Sequence, residues 1–346
     1  MRVVLGALAP AALVGTWNVG FQALDAAARL GAEPLAGWRG APLRALGVAP
    51  DPEQLLACLA FGLACVLPLA FVVGVFGWLW ERLFSRRRQG RHDEALPVVV
   101  TLFVLIVPPT LPLWQAAVGV SVAVVLGLEI FGGTGRNAVN PALVGLAFLT
   151  FAYPGSFSGE GRWIAAAGAT GAPVLVTASE GGLAAVRAAG TLWTDTLLGR
   201  EVGAVGETSA LACLLGALIL VGAQLASWRI LAGGVLGLVA TTLLAGALGD
   251  PARPLADLPW TWHLSSGSFA FGLAFLATDP VTSASTRGGR WAYGASIGVL
   301  VVLVRVFNPA YPEGVVMAIL LANVLAPLYD HVALRRAVRR RRRRLG

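Results

Sequence analysis

Five carboxylates stand at or near the ends of long apolar blocks: Glu81, Glu129, Glu207, Asp279 and Asp330. An ionisable group at the centre of a membrane span costs about 2.5 to 3.5 kcal/mol, so one that is kept there is a candidate for an ion path. Asp279 is the best placed of the five. It precedes Pro280 at a break in an apolar block, where a carboxylate can face a polar cavity instead of lipid. Glu207 comes next because it opens an apolar block. The plain alternative for each is an interfacial residue that pairs with arginine or reaches toward the headgroups. No metal centre is expected. Cys58, Cys65, Cys213 and the histidines His92, His263 and His331 lack the spacing of a ligand set. Cys58 and Cys65, seven apart, share a helix face and read as small apolar packing residues.

The elements that must position these groups are membrane helices. Of 346 residues, 57% are hydrophobic and 13% charged, against about 25% charged in soluble domains, and the mean hydropathy is +0.75. The apolar residues fall in blocks near the length of a span, about 20 residues. The blocks lie at 4–22, 56–80, 97–113, 115–131, 141–154, 208–226, 230–249, 267–279, 291–306 and 314–332. An all-α polytopic membrane protein of about ten transmembrane helices is therefore expected. No small-residue cleavage site follows the first block, so it is expected to stay as a helix.

The net charge of +8 comes from arginine alone, concentrated at 82–91 and 335–344. A nucleic-acid arm is disfavoured beside so much apolar sequence, and the positive-inside rule explains the clusters better. Placing both in the cytoplasm puts both termini there. Arg229, Arg287 and Arg290 then fall on cytoplasmic turns, and the connections 23–55, 155–207 and 250–266 fall outside. The expected division is a first membrane half over 1–154, an external loop over 155–207, a second membrane half over 208–334 and a basic cytoplasmic tail over 335–346. Five spans in each half would give two inverted repeats. Asn140-Pro141-Ala142 echoes Asn308-Pro309-Ala310, and the break at Pro108-Pro109-Thr110 echoes that at Asp279-Pro280-Val281. The plain reading of those prolines is that they mark helix ends. Urea-channel-like folds share the five-plus-five plan, which carries no function.

Several strings, in order along nearly the whole chain, carry a family resemblance: GTWNVGFQ (15–22), PPTLPLWQ (108–115), EIFGGTGRNAVNPAL (129–143), FAYPGSFSG (151–159), GETSAL (206–211), SWRI (227–230), FAFGLAFLATDPVTSAS (269–285) and NPAYPEG (308–314). They resemble the family that joins the B subunits of sodium-pumping NADH:quinone reductases to the D subunits of Rnf ferredoxin:NAD complexes. NPAYPEG favours the quinone-reductase branch. Glu207 lies within one of the strings.

The resemblance implies a membrane redox subunit of the bacterial inner membrane that couples electron transfer from NADH to quinone with movement of sodium ions or protons. In the family, a loop threonine carries FMN through a phosphoester, attached by a flavin transferase. The matching position here is Thr170 in Ala167-Gly168-Ala169-Thr170, with Ile164 and Ala167 where the family has aspartate and serine. It also implies a second, noncovalent flavin such as riboflavin. Its candidate seat is the turn Gly132-Gly133-Thr134-Gly135 with Arg136, Asn137 and Asn140, since glycines let a backbone approach a ring or phosphate closely. Quinone is the expected substrate. The family usually has a second glycine where Trp78 stands, next to the expected quinone contact near Glu81. The chain has no Rossmann fingerprint or iron-sulfur cysteine set, so NADH oxidation is expected of other subunits of a multi-subunit complex. The rival readings are the Rnf type of subunit and a flavin-free channel or small-solute carrier; flavin fluorescence that survives denaturation separates them. The charge map predicts that a reporter fused after Gly346 behaves as cytoplasmic, and a periplasmic signal there would overturn the threading.

Overall fold

The computed structural model describes residues 1–30, 38–86, 94–157, 163–165, 172–248, 253–308 and 313–345. Among these residues the regular structure is all helical. The first half carries α1 (Arg2–Leu30), α2 (Ala41–Leu46), α3 (Leu55–Ser85), α4 (Leu96–Ile106), α5 (Leu113–Val124) and α6 (Pro141–Ala152). Two helices follow in the connection, α7 (Val174–Ala188) and α8 (Trp193–Leu198). The second half carries α9 (Ala210–Gly222), α10 (Trp228–Leu248), α11 (Trp260–Ser265), α12 (Phe269–Phe271), α13 (Arg287–Phe307) and α14 (Val315–Leu345). Helices α5 and α12 each continue as one π turn, Val125–Glu129 and Gly272–Leu276.

Each of the ten apolar blocks falls on one of these helical elements. Five helices, α1, α3, α10, α13 and α14, are long and apolar enough to cross a membrane; α4, α5 with its π turn, α6 and α9 are shorter apolar helices. Exposed side chains such as Leu13, Phe71, Phe151, Leu218, Leu244 and Val324 form an apolar surface too extensive for contact with water. The chain is a polytopic membrane protein.

Boundaries differ from the sequence reading at three places. Helix α1 runs on to Leu30, past the expected stop near 22. Helix α14 runs through the arginine cluster to Leu345, so that stretch extends a span; arginine is a good helix former when its head group is in water. The connection 155–207 contains α7, kinked at Gly181 and Gly182, and α8.

The shortened helices have local causes. Val107 precedes Pro108 and takes an extended conformation (φ −93°, ψ 154°), which ends α4. Asn140 caps α6 by accepting from the Ala142 and Leu143 amides at 3.1 and 3.5 Å, and Pro141 occupies the first turn, where its missing N–H is not needed.

Glycines set the closest helix contacts. On α10, Gly233 and Gly237 lie under the Trp291 and Ala295 carbonyls, while Gly294 and Gly298 of α13 lie under the Ile230 and Gly234 carbonyls. These are two reciprocal Gly-x-x-x-Gly faces, the pattern that lets helices approach where lipid supplies no hydrophobic drive. In the first half, Gly20 meets the Cys58 carbonyl and Gly62 the Thr16 carbonyl. A methyl at position 298 would collide with backbone, whereas Gly74 has no neighbour within 4 Å. Gly298→Ala is therefore expected to destabilise the fold by about 1–3 kcal/mol. Gly74→Ala should be neutral or slightly stabilising. Thermal midpoints of the two variants in detergent check this; equal midpoints would contradict it.

Candidate functional site

Two clusters of polar groups form where helices break, one at each end of the shortened helix that begins at Ser268.

The first cluster surrounds Asp279. At the end of the π turn after α5, the Gly133 amide donates to the Leu128 carbonyl (3.1 Å) and the Gly132 amide to the Glu129 carbonyl (2.9 Å), a Schellman closure. Gly132, Gly133 and Gly135 have φ of 100°, 90° and 85°, which accounts for glycine in this turn. Arg136 is exposed and folds back over Gly132. Asn137 and Asn140 are buried, and with Thr134, Asp279 and Glu94 they line a cavity of about 310 Å³. Met1 lines it too, so the N-terminus lies at this end of the bundle.

Asp279 follows the second π turn. Its carboxylate accepts from the Val281 amide (3.1 Å) and the Thr282 hydroxyl (3.2 Å), which closes the turn around Pro280. Asn323, unremarked in the sequence reading, joins the two breaks. Its Oδ1 accepts from the Asn140 amide (3.2 Å); its Nδ2 donates to the Thr282 carbonyl (3.3 Å) and the Tyr293 hydroxyl (2.7 Å). Its only advance signal was an amide within an apolar span.

Asp330 borders a neighbouring cavity of about 670 Å³ that shares Asn137 and Pro280 with the first. It accepts four hydrogen bonds, from the amides and hydroxyls of Ser285 and Thr286, at 2.6–2.9 Å, and so holds the turn that starts α13. Glu81 and Glu129 are buried in their helices but are not among the residues lining the Asp279 cavity.

The second cluster contains Glu207 and four residues absent from the sequence-based set of candidates: Glu201, His263, Arg305 and Glu313. Arg305 on α13 is fully buried. It donates to the His263 carbonyl (2.6 Å), the Ser266 carbonyl (3.1 Å) and the Glu313 carbonyl (3.3 Å), and approaches His263 Nδ1 at 3.4 Å. His263 Nε2 lies 3.2 Å from the Leu255 carbonyl, which can only accept, so Nε2 carries the proton. Burial, then the charge of Arg305, hold this imidazole down to about 3, so it is neutral near pH 7. Glu313 Oε2 accepts from the Ser268 amide (3.2 Å) and hydroxyl (2.9 Å).

Glu201 is buried with neither carboxylate oxygen hydrogen-bonded. The Gly267 and Val174 amides lie near enough to favour its anion without closing a hydrogen bond. Burial and the neighbouring Glu313 push its carboxyl up to about 8, against the pull of Arg305. Burial likewise holds Glu207 well above the ordinary carboxylate range. GTWNVGFQ positions this segment: Asn18 and Gln22 donate to the Glu201 and Arg200 carbonyls (both 2.7 Å), and Gly15 lies under the Val205 carbonyl. Arg305 had a sequence signal, as the single charge inside an apolar block.

The structure therefore groups Asn137, Asn140, the glycine turn and Asp279, with Asp330 beside them. Glu207 belongs to the other end, since Ser268 and Asp279 are eleven residues apart, about 17 Å along a helix. Thr170 lies outside the described residues. Trp163 and Pro173, which bracket it in sequence, line a small cavity with Glu201 and Glu207. Among the described residues no group of three or more His, Cys, Asp or Glu is arranged to hold a metal ion.

Residues 1–339 match the model of the NQR2, RnfD, RnfE family. Similar proteins include the B subunits of Na(+)-translocating NADH-quinone reductase from three bacteria. That of Azotobacter vinelandii is 47% identical over 335 residues, covering 96% of this chain and 83% of the relative. That of Pseudomonas paraeruginosa is 46% identical over 341 residues, covering 97% and 84%. That of Chromohalobacter salexigens is 46% identical over 335 residues, covering 97% and 81%.

Proposed function

The chain belongs to the NQR2, RnfD, RnfE family, and on that premise we propose that it is the membrane subunit of a sodium-translocating NADH:quinone reductase. The observation that carries this reading is identity of 46–47% to named B subunits over almost the whole chain. The polar breaks within an apolar bundle support it, because unwound backbone and carboxylates inside a membrane protein serve ion passage. Other subunits oxidise NADH, and the quinone is the electron acceptor. The protein sits in the bacterial inner membrane with both termini cytoplasmic, as the arginine clusters require under the charge rule.

FMN bound covalently to Thr170 and a second, noncovalent flavin would supply the electron transfer chemistry. The residues around the glycine turn suit a ring system. The cavity of about 310 Å³ falls within the range of about 300–1,000 Å³ for small-molecule sites, and Asn137 and Thr134 offer polar contacts from its wall. The Gly132 and Gly133 amides, which donate to the Glu129 and Leu128 carbonyls and so close the preceding helix, hold that wall in place. Asp279 serves the ion path from the other side of the cavity, where its carboxylate is held by only two hydrogen bonds, in contrast to the four on Asp330.

In the assembled complex, Asp279→Asn should cut sodium-dependent NADH:quinone turnover at least about tenfold while assembly and thermal midpoint stay near wild type. Unaltered turnover with the same sodium dependence would remove Asp279 from the path. Co-expression with the flavin transferase should add the mass of FMN to this chain, and Thr170→Ala should abolish the addition. A wild-type chain that gains no such mass while a partner subunit is flavinylated would refute covalent attachment here.

A further inference from the structure

Asn323 stands within α14 among alanine, leucine and valine neighbours, and it is 2% exposed. An amide buried in a lipid-embedded bundle is costly unless protein meets its donors and its acceptor. Both ends of this one are met. The Asn140 amide can only donate and the Thr282 carbonyl can only accept, so the partners fix which end of the side chain is oxygen. Oδ1 takes the amide of Asn140, in the first half of the chain. The two hydrogens of Nδ2 are spent in the second half, on the Thr282 carbonyl and the Tyr293 hydroxyl.

Each backbone partner is one step from a group that the reading above puts to work. Asn140 caps α6 and lines the cavity of about 310 Å³ beside Asn137, whose Nδ2 donates to the Val139 carbonyl (3.2 Å). Thr282 gives its hydroxyl to the Asp279 carboxylate. Asn140, Asn323, Thr282 and Asp279 therefore form one run, joined by contacts of 3.2, 3.3 and 3.2 Å. Asn323 borders the neighbouring cavity with Asp330 and is not among the residues lining the one that holds Asp279, so it acts through its partners. Closing the turn around Pro280 does not by itself call for this residue. Asp330, about two helical turns further along α14, already fixes that turn through Ser285 and Thr286, and its four bonds all stay within the second half. What Asn323 adds is the tie to Asn140.

We propose that Asn323 is a positioning residue that makes the Asn137–Asn140 wall and the Asp279 turn one moving part, so that binding at either is felt at the other. The proposal rests on the reading above, in which the cavity seats the noncovalent flavin and Asp279 serves the ion path. A displacement of the wall by a bound ring pulls on Oδ1, and the same rigid amide passes it through Nδ2 to Thr282 and so to the carboxylate. Linkage makes the effect reciprocal: an ion that changes the affinity for the ring has its own affinity changed by the same factor.

The test measures riboflavin binding to the flavin-depleted whole complex by fluorescence, in sodium and in choline at equal ionic strength. In the wild type the two dissociation constants should differ at least about fivefold. Asn323→Leu keeps the side-chain size and cuts the bridge; riboflavin should still bind, with the two constants now within about twofold of each other. Tyr293→Phe leaves both bridging bonds in place and should keep the wild-type ratio. A purely structural asparagine would lower the thermal midpoint of Asn323→Leu and leave that ratio intact, which overturns the coupling, as does a wild-type ratio near one. Should Asn323→Leu fail to assemble, Asn323→Asp decides: it retains the acceptor for Asn140 and loses the donor to Thr282, and a ratio kept there overturns the bridge. A ratio lost in Asn323→Leu but kept in Asp279→Asn supports the bridge and removes Asp279 from the ion path. A wild-type complex that binds no riboflavin refutes the flavin seat, and the coupling with it.

Discussion

A helix that stops inside a lipid-embedded bundle leaves backbone donors or acceptors that water cannot reach, and protein must meet them. The architecture follows from this constraint at each break. Gly206 meets the Leu105 carbonyl after α4. Gly132 and Gly133 meet the last carbonyls after α5. Asn140 meets the first amides of α6, and the Glu313 carboxylate meets Ser268 at the start of the shortened helix. Each partner comes from one of the strings at the ends of the apolar blocks, so the motifs in this chain are largely the devices that close broken helices. Those devices leave polar atoms inside an apolar protein, which is where ion chemistry has its openings.

Two kinds of closure result, with different electrostatic character. Around Asp279 the closing groups are neutral amides and hydroxyls, tied together by Asn323, and the carboxylate faces a cavity large enough for a cofactor. Around Arg305 the closing groups include charged side chains: the Glu313 carboxylate holds Ser268, and the guanidinium donates to the His263, Ser266 and Glu313 carbonyls. The first arrangement leaves room for a molecule with shape, and the second closes almost completely on itself. Helix α12 with its π turn links them, so a change in its position would be felt at both ends.

The helices were legible in the sequence because apolar blocks of span length have few other uses, and the blocks coincide with helical structure. Five of them match helices long and apolar enough to cross a membrane, and that at 267–279 holds only a short α-helix and a π turn. The breaks at Pro108 and Asp279 were legible because proline excludes the preceding residue from helical geometry. Asn137, Asn140 and Asp279 were each singled out in the sequence for separate tasks, but that they line one cavity was not foreseen, because it depends on contact between the two halves of the chain. What stayed hidden depended on distant contacts. Glu201 sits in an ordinary polar connection and gains its character only because Asn18, Gly267 and Glu313 come to it from three other parts of the chain. Asp330 is the converse case, a carboxylate at a span end whose four hydrogen bonds give it a structural task that spacing alone did not disclose. The helical course of 335–345 was hidden for another reason, since charge argued for a tail while propensity argued for more helix.

That last helix has a mechanical consequence. Arginines at 335, 336 and 339–343 follow one another on an unbroken helix, all exposed, and at 100° per residue they point in every direction around its axis. Drawing any of them toward the bilayer centre costs about 2.5 to 3.5 kcal/mol, and pushing the helix outward would drag leucines such as Leu321 and Leu328 into water. Helix α14 is thus a plumb line with a fixed waterline, and Asn323, about 18 Å above the first of these arginines, inherits its depth from it. The junction of the two breaks is held at a set height in the membrane, so any working movement of the bundle has to pivot about that point.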